Sequence, residues 1–216
     1  IRCLPHAIEG KYNIAGILSS TGRIFEWFRS FSNQKNGSYY DMLQEIVEVT
    51  PQRDLPYFFP SLHRGAVWEF SGGVFTGLEA HHGAAEMGRA VVNSIGFGIR
   101  DLIETIEGEG CDIGTLRVSG GQGRNTIWNQ MKSDITGKII EVPKIIDAEL
   151  TGGAIAAFTY VGIGDNLTDA AEQIVNIEEQ YEPDAEAHRS YSEEYDYYTR
   201  HCDRIIAALN DPPSDI

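Results

Sequence analysis

The sequence predicts an α/β layered domain. Strand-length runs alternate with helical ones, a strand, glycine turn, helix and second strand follow one another over positions 115–142, and 42% of the 216 residues are hydrophobic. A chain of this length holds one domain or a tight pair, and it reads as a single unit, 1–216. Lys and Arg number 17 against 32 Asp and Glu, for a net charge of −15. So acidic a chain repels phosphate backbones and anionic lipid, which argues against nucleic-acid and membrane partners. Local backbone N–H groups can still hold a small anion. Cys3, Cys111 and Cys202 form no CxxC pair, which fits neither a disulfide framework nor a zinc site and points to a reducing, cytoplasmic setting. The longest weakly polar stretch, Gly152 to Gly164, falls short of the ~20 residues a membrane helix needs, and no signal-peptide pattern opens the chain. Starting at Ile1 with its first methionine at Met42, the chain reads as a piece of something longer.

Tyr12 to Ser20 (YNIAGILSS) is expected to be a buried strand from its length and β-branched content. Gly22 breaks it, and Thr21 to Ser32 becomes an amphipathic helix with Ile24, Trp27, Phe28 and Phe31 inward. Asn33 to Ser38 is a loop and Tyr40 to Val49 a second helix. Pro, Gly and aromatic residues make Thr50 to Gly77 irregular with short strands. His81 to Glu107 is the longest helical pattern. Its apolar stripe (Met87, Val91, Ile95, Ile99, Leu102, Ile106) is widened by Ala90, Ser94 and Phe97, so the helix should lie between layers. Gly88, Gly96 and Gly98 each cost it about 1 kcal/mol relative to Ala, and close packing against a neighbour is the expected offset.

Thr115 to Ser119 reads as a strand, Gly120 to Arg124 as a glycine-rich turn, and Asn125 to Thr136 as a helix capped by Gly137. Lys138 to Val142 is the next strand, Asp147 to Val161 a helix with acidic residues at its positive end, and Leu167 to Val175 a short helix. The last helix, Ala185 to Leu209, sets Tyr191, Tyr195, Tyr198, Cys202, Ile205 and Leu209 on one docking face. The acidic run Glu178 to Asp196 reads as a solvated face.

The strand–GGQG–helix unit is the best candidate site. Glycines after a strand let N–H groups approach a bound group without obstruction, and the helix start favours negative charge. The same glycines also suit a plain tight turn. Gly121-x-Gly123-x-x-Thr126 nearly matches a dinucleotide fingerprint, with Glu141 about where a ribose-binding acid belongs, although Thr126 replaces the third glycine. A dinucleotide-dependent enzyme is therefore an alternative. His81-His82 lacks a third ligand at metal spacing, and Ser119 lies in SGG rather than a nucleophile elbow.

Leu116 to Gly137 (LRVSGGQGRNTIWNQMKSDITG) resembles the signature of the FGGY carbohydrate kinases: a strand, then (S/D)GG, then an aromatic-x-Gln-x-x-x-Asp-x-x-Gly helix. Ser119, Gly120, Gly121, Trp128, Gln130, Asp134 and Gly137 fall in register. Tyr12 to Trp27 is similar to the family's strand–helix entry, Gly73 to Leu78 (GVFTGL) to its G-x-F-x-G-L turn, and His81 to Glu104 to its central helix. Asp147 to Ala157 (DAELTGGAIAA) is similar to its acid-x-x-x-x-G-A-A helix, with Asp147 for Glu and Gly153 for Ala. The chain departs from the pattern at Leu62 to Trp68, which lacks a G-E-R-x-P segment, and at Gly72-Gly73, where Arg-Gly is usual. Both bear on substrate class.

The resemblance implies an actin-like ATPase (ribonuclease H-like) fold, a mixed sheet flanked by helices, in the C-terminal domain of an ATP:sugar phosphotransferase most like the xylulokinases. It implies ATP with Mg²⁺, a sugar substrate such as a pentulose in an interdomain cleft, and an N-terminal kinase domain outside this chain; a homodimer is a further partner it allows. Gly121 and Asn125 would line the nucleotide, flanked by Gly120 and Gln122. Gly22 and Glu26 match nucleotide-contacting positions on the first helix; Glu26 stands where a relative has Gln, and its carboxylate would accept from ribose or adenine. The family's catalytic aspartate belongs to the other domain, so this chain carries no catalytic residue and alone should transfer nothing. A non-catalytic module that keeps the fold is the remaining alternative.

Overall fold

The computed structural model describes residues 1–19, 21–32, 37–48, 55–62, 67–68, 70, 72–162 and 164–210. Strands β1 (Arg2–Pro5) and β2 (Tyr12–Ala15) form an antiparallel hairpin, and the two-residue β3 (Ile17–Leu18) runs parallel to β5 (Val67–Trp68). The buried strand expected over 12–20 is thus two exposed pieces, with Tyr12 70% and Ile17 43% accessible. The chain bends between them at Gly16, which lies against Leu102, and the second piece has too few residues to cover. Ser20, the loop core 33–36, and residues 63–66 of the departing Leu62–Trp68 segment lie outside the described residues.

Helix α1 (Thr21–Phe31) buries Ile24, Phe25 and Phe28 rather than the Trp27–Phe31 side. Phe25 wins because it meets Trp128 edge-on at 5.2 Å and Tyr39 at 4.9 Å. Trp27, at the rim, instead stacks on the exposed Phe31 and the buried Phe58. Helix α2 (Tyr39–Glu48) adds Met42, Leu43 and Ile46 to the same core. Strands β4 (Tyr57–Phe59) and β6 (Val74–Thr76) pair antiparallel, so the aromatic stretch supplies short strands as expected.

Helix α3 (Ala84–Gly108) is the spine: every residue from Gly88 to Phe97 is buried, and α1, α2, α4 (Thr126–Thr136) and β4 pack on it. Gly88 and Gly96 are contact points. A Cβ on Gly88 would stand 2.7 Å from Ile46 Cδ1 and 2.8 Å from Phe28 Cε1, and Gly96 is closed by Ile135. The helix-propensity cost of glycine is offset by backbone approach that no other residue permits.

In the three-stranded sheet, β7 (Thr115–Arg117) runs parallel to β8 (Ile139–Pro143), and β9 (Ile177–Tyr181) pairs antiparallel on its far side. Part of the acidic run expected as a solvated face is this strand, which is exposed as expected over Glu178 to Gln180. An outer strand needs no apolar side chains, only main-chain pairing, and the glutamates guard its edge. Helix α5 (Ala148–Tyr160) follows β8, α6 (Leu167–Ile174) precedes β9, and α7 (Ala185–Asn210) closes the chain. The docking face of α7 holds at Tyr191, Tyr195 and Cys202, all buried, but its end does not, since Leu209 is 61% exposed.

Candidate nucleotide site

The glycine turn resolves into a single 3-10 turn, Gly121–Arg124, between β7 and α4. Gly120 enters it at φ +77°, a conformation side-chain-bearing residues rarely adopt. Its N–H is donated to the Ile146 carbonyl at 2.7 Å, and its carbonyl accepts from Gly123 N–H at 3.0 Å. The amides left to offer are those of Gly121 and Gln122, which open the turn where a helical N–H has no internal acceptor. A Cβ on Gly120 or Gly121 would meet nothing within 4 Å, so the outer face of the bend is open. Gly123 is the opposite case: it is buried, with its Cβ position 3.4 Å from the Val118 carbonyl and near Val142 and Ile146.

Asn125 is the N-cap of α4, its Oδ1 accepting from Trp128 N–H at 3.0 Å. That oxygen is engaged by the helix. The amide Nδ2 is what the side chain has left for a ligand. Gln122 reaches the other turn, with Nε2 donating to Thr21 Oγ1 at 3.4 Å and standing 3.9 Å from the Cβ position of Gly22. Residues about a hundred positions apart therefore meet, and the turn before α4 reaches the start of α1. A helix N-terminus favours a bound anion.

Glu26 lies one helical turn beyond Gly22 and is half exposed, its side chain 53% accessible. Its carboxylate accepts from Arg29 Nη1 at 2.9 and 3.2 Å, and Arg29 Nη2 donates to the Gly37 carbonyl at 2.9 Å. The acid that would repel phosphate is thus tied to a guanidinium. Thr21 and Arg29 were not singled out from the sequence, although the i, i+3 spacing of Glu26 and Arg29 is a legible ion-pair signal. Ile146 left none, since it acts through its main chain.

Beyond the turn, Glu141 of β8 accepts from Arg117 Nη2 at 2.8 Å. The acid considered for ribose in the dinucleotide reading is engaged across the sheet, and the middle glycine of that fingerprint is packed inside. A cavity of about 330 Å³ opens beside Ser119 between β8 and α5, with Pro143, Thr151 and Ile155 in its wall. His81 and His82 precede α3, with His82 Nδ1 accepting from Glu79 N–H at 3.0 Å.

An α/β domain whose open glycine turn leads into one helix and touches the start of another has the frame of an anion-binding fold. More particularly, the chain belongs to the FGGY family of carbohydrate kinases: the family's C-terminal domain matches residues 2–160. It is 29% identical over 194 residues to the L-xylulose/3-keto-L-gulonate kinase of Escherichia coli, an alignment covering 88% of this chain and 37% of that protein. It is 28% identical to a glycerol kinase of Saccharolobus islandicus, covering 86% of this chain and 36% of that one. Among solved structures, ligand-bound xylulose kinase from Lactobacillus acidophilus superposes with a TM-score of 0.83 at 21% identity, over 95% of this chain and 42% of its own. Glycerol kinase from Plasmodium falciparum with ADP gives 0.69 at 18% identity, over 86% and 37%. The actin-like kinase fold is therefore established, and the chain spans less than half the length of the relatives it matches.

Proposed function

We propose that this chain is the nucleotide-binding, C-terminal domain of an ATP-dependent carbohydrate kinase. In the complete enzyme the γ-phosphate passes to a sugar hydroxyl, that of a pentulose such as xylulose. The observation that carries the reading is the link between Gln122 and Thr21, which joins the open Gly120–Gly121 bend to the Gly22 helix start. In this arrangement the amides of Gly121 and Gln122 meet the phosphate end, and Asn125 Nδ2 donates to the nucleoside. Glu26, its charge shared with Arg29, accepts from ribose or base. Among the described residues no three His, Cys, Asp or Glu side chains gather as a metal site, so Mg²⁺ would arrive on the nucleotide's phosphates and neutralise their charge when bound. This chain's own part is to bind and orient. The base that takes the sugar's proton, and the second wall of the cleft, belong to a preceding domain.

Calorimetric titration of the chain with ATP·Mg²⁺ tests the reading. The expected result is weak but saturable binding that falls about tenfold in Gly121→Val, a loss of about 1.4 kcal/mol. Phosphorylation of a pentulose requires the partner domain. A chain that is folded yet shows no affinity at millimolar ATP refutes the proposal, and so does a Gly121→Val variant that binds as the parent does.

A further inference from the structure

Helix α5 is apolar and yet uncovered. Of its 13 residues one is charged, Glu149, and one is buried, Ile155. A helix with so little polar surface belongs in an interior. Here Leu150 is 75% accessible, Phe158 43% and Tyr160 91%. The helix packs against α6. Helical spacing sets Leu150, Gly153, Ala157 and the capping Val161 along a different line, turned away from Ile155, and all four are exposed.

The glycines of α5 behave unlike those of α3. At Gly88 and Gly96 neighbouring side chains occupy the space where a Cβ would stand, and that close approach offsets the poor helix propensity of glycine. A Cβ on Gly152 or Gly153 would meet nothing within 4 Å among the described residues. The propensity cost is present in α5, and the close neighbour that would offset it is not. Gly153 and Ala157, one turn apart, leave a shallow groove between Leu150 and Val161. Such a groove admits the ridge of another helix at short axial distance, and an exposed apolar patch of this kind marks an interaction surface.

The occupant follows from three observations. The match to the family's C-terminal domain runs to Tyr160, the last residue of α5. This helix is therefore shared with relatives more than twice the length of the chain. Helix α5 also starts beside the candidate site, two residues after the Ile146 carbonyl that accepts from Gly120 N–H, so a body lying along it adjoins the open bend. A second copy of this chain fits poorly, because each copy carries a net charge of −15 and such charge opposes self-association.

We propose that α5 is the seat of the preceding domain of the complete kinase, one helix of that domain lying across Gly153 and Ala157 between Leu150 and Val161. This rests on reading the chain as a C-terminal kinase domain, and not on where the nucleotide sits.

Hydroxyl-radical oxidation, read residue by residue by mass spectrometry, tests the proposal without altering the sequence. Relative to the exposed Tyr197 of α7, Leu150 and Tyr160 should be oxidised at least about fivefold more slowly in the complete protein than in this chain alone. Gly153→Leu fills the groove but is exposed in the chain. It should not lower the chain's melting temperature and should leave its ATP affinity within about twofold of the parent. In the complete protein the same change should restore oxidation of Tyr160 and cut phosphoryl transfer at least about tenfold through misplacement of the two domains. Equal oxidation of α5 in the chain and the complete protein overturns the proposal, and so does a fully active, fully protected Gly153→Leu protein. Oxidation that slows as the chain is concentrated, with a dimer in sedimentation, seats a second copy on α5 and overturns it as well. Failure of the chain to bind ATP removes the nucleotide assignment but leaves the oxidation result intact.

Discussion

Replacing Lys132 by methionine should make the protein more stable. Lys132 sits in the interior of α4, 3% exposed, with its ammonium 5.4 Å from the centre of the Trp128 ring. Burial pushes its pKa down from 10.5 to about 8. At about 1.4 kcal/mol per factor of ten in proton affinity, keeping the charge there costs about 3 kcal/mol at neutral pH. Attraction to the indole face offsets about 1 kcal/mol of that cost. Methionine matches the length of the stem without the charge. The sign follows from linkage. Below pH 8 the amine is charged in both folded and unfolded chains, and the full penalty applies. As pH rises from about 8 toward 10.5 the folded form sheds its proton first, and the penalty fades. Lys132→Met should therefore raise unfolding free energy in urea at pH 7 by about 2–3 kcal/mol, with the gap to the parent narrowing above pH 8. Comparing the two proteins at each pH cancels the tyrosines, since Tyr57, Tyr181 and Tyr191, all pushed up to about 12 by burial, erode both alike at high pH. A methionine variant equal to or weaker than the parent at pH 7, or a gap that stays constant to pH 10, refutes the reasoning.

Gly88→Ala should destabilise the fold by about 1–3 kcal/mol despite alanine's better helix propensity, because its methyl collides with Ile46 and Phe28; thermal denaturation reads this directly. Asn125→Ser keeps an N-cap oxygen while removing the amide donor, so stability should stay within about 0.5 kcal/mol while ATP affinity drops severalfold by calorimetry. Gln122→Ala breaks the contact to Thr21 and should lower ATP affinity with the melting curve unchanged; unchanged affinity would make that contact incidental.

Much of this was legible in the chain itself, where local chemistry and tertiary context agree. The Gly120–Asn125 turn, the cap at Gly137 and the all-round burial of α3 over Gly88 to Phe97 follow from glycine placement and a wide apolar stripe. The strand at 12–20 misled because β-branched content shows what can be buried, not whether a neighbour covers it. Phe25 displaced Trp27 on α1 because its partners Trp128 and Tyr39, not helical spacing, decide which face goes in. Strand β9 was hidden by its own glutamates, which an outer strand tolerates. At the candidate site the glycines announced themselves. The roles of Thr21, Arg29 and the Ile146 carbonyl depend on contacts between distant segments, which a one-dimensional pattern does not encode.

The contact between Gln122 and Thr21 has a kinetic corollary. Segments separated by about a hundred residues close late, after the loop between them has lost its freedom. A half-folded chain, with α3 and α4 docked but the first helix still loose, would carry one of the two turns proposed for the nucleotide and lack the other. Ligand capture should therefore switch on only at the final docking step, and a nascent chain should leave the cell's triphosphate pool untouched until it is whole.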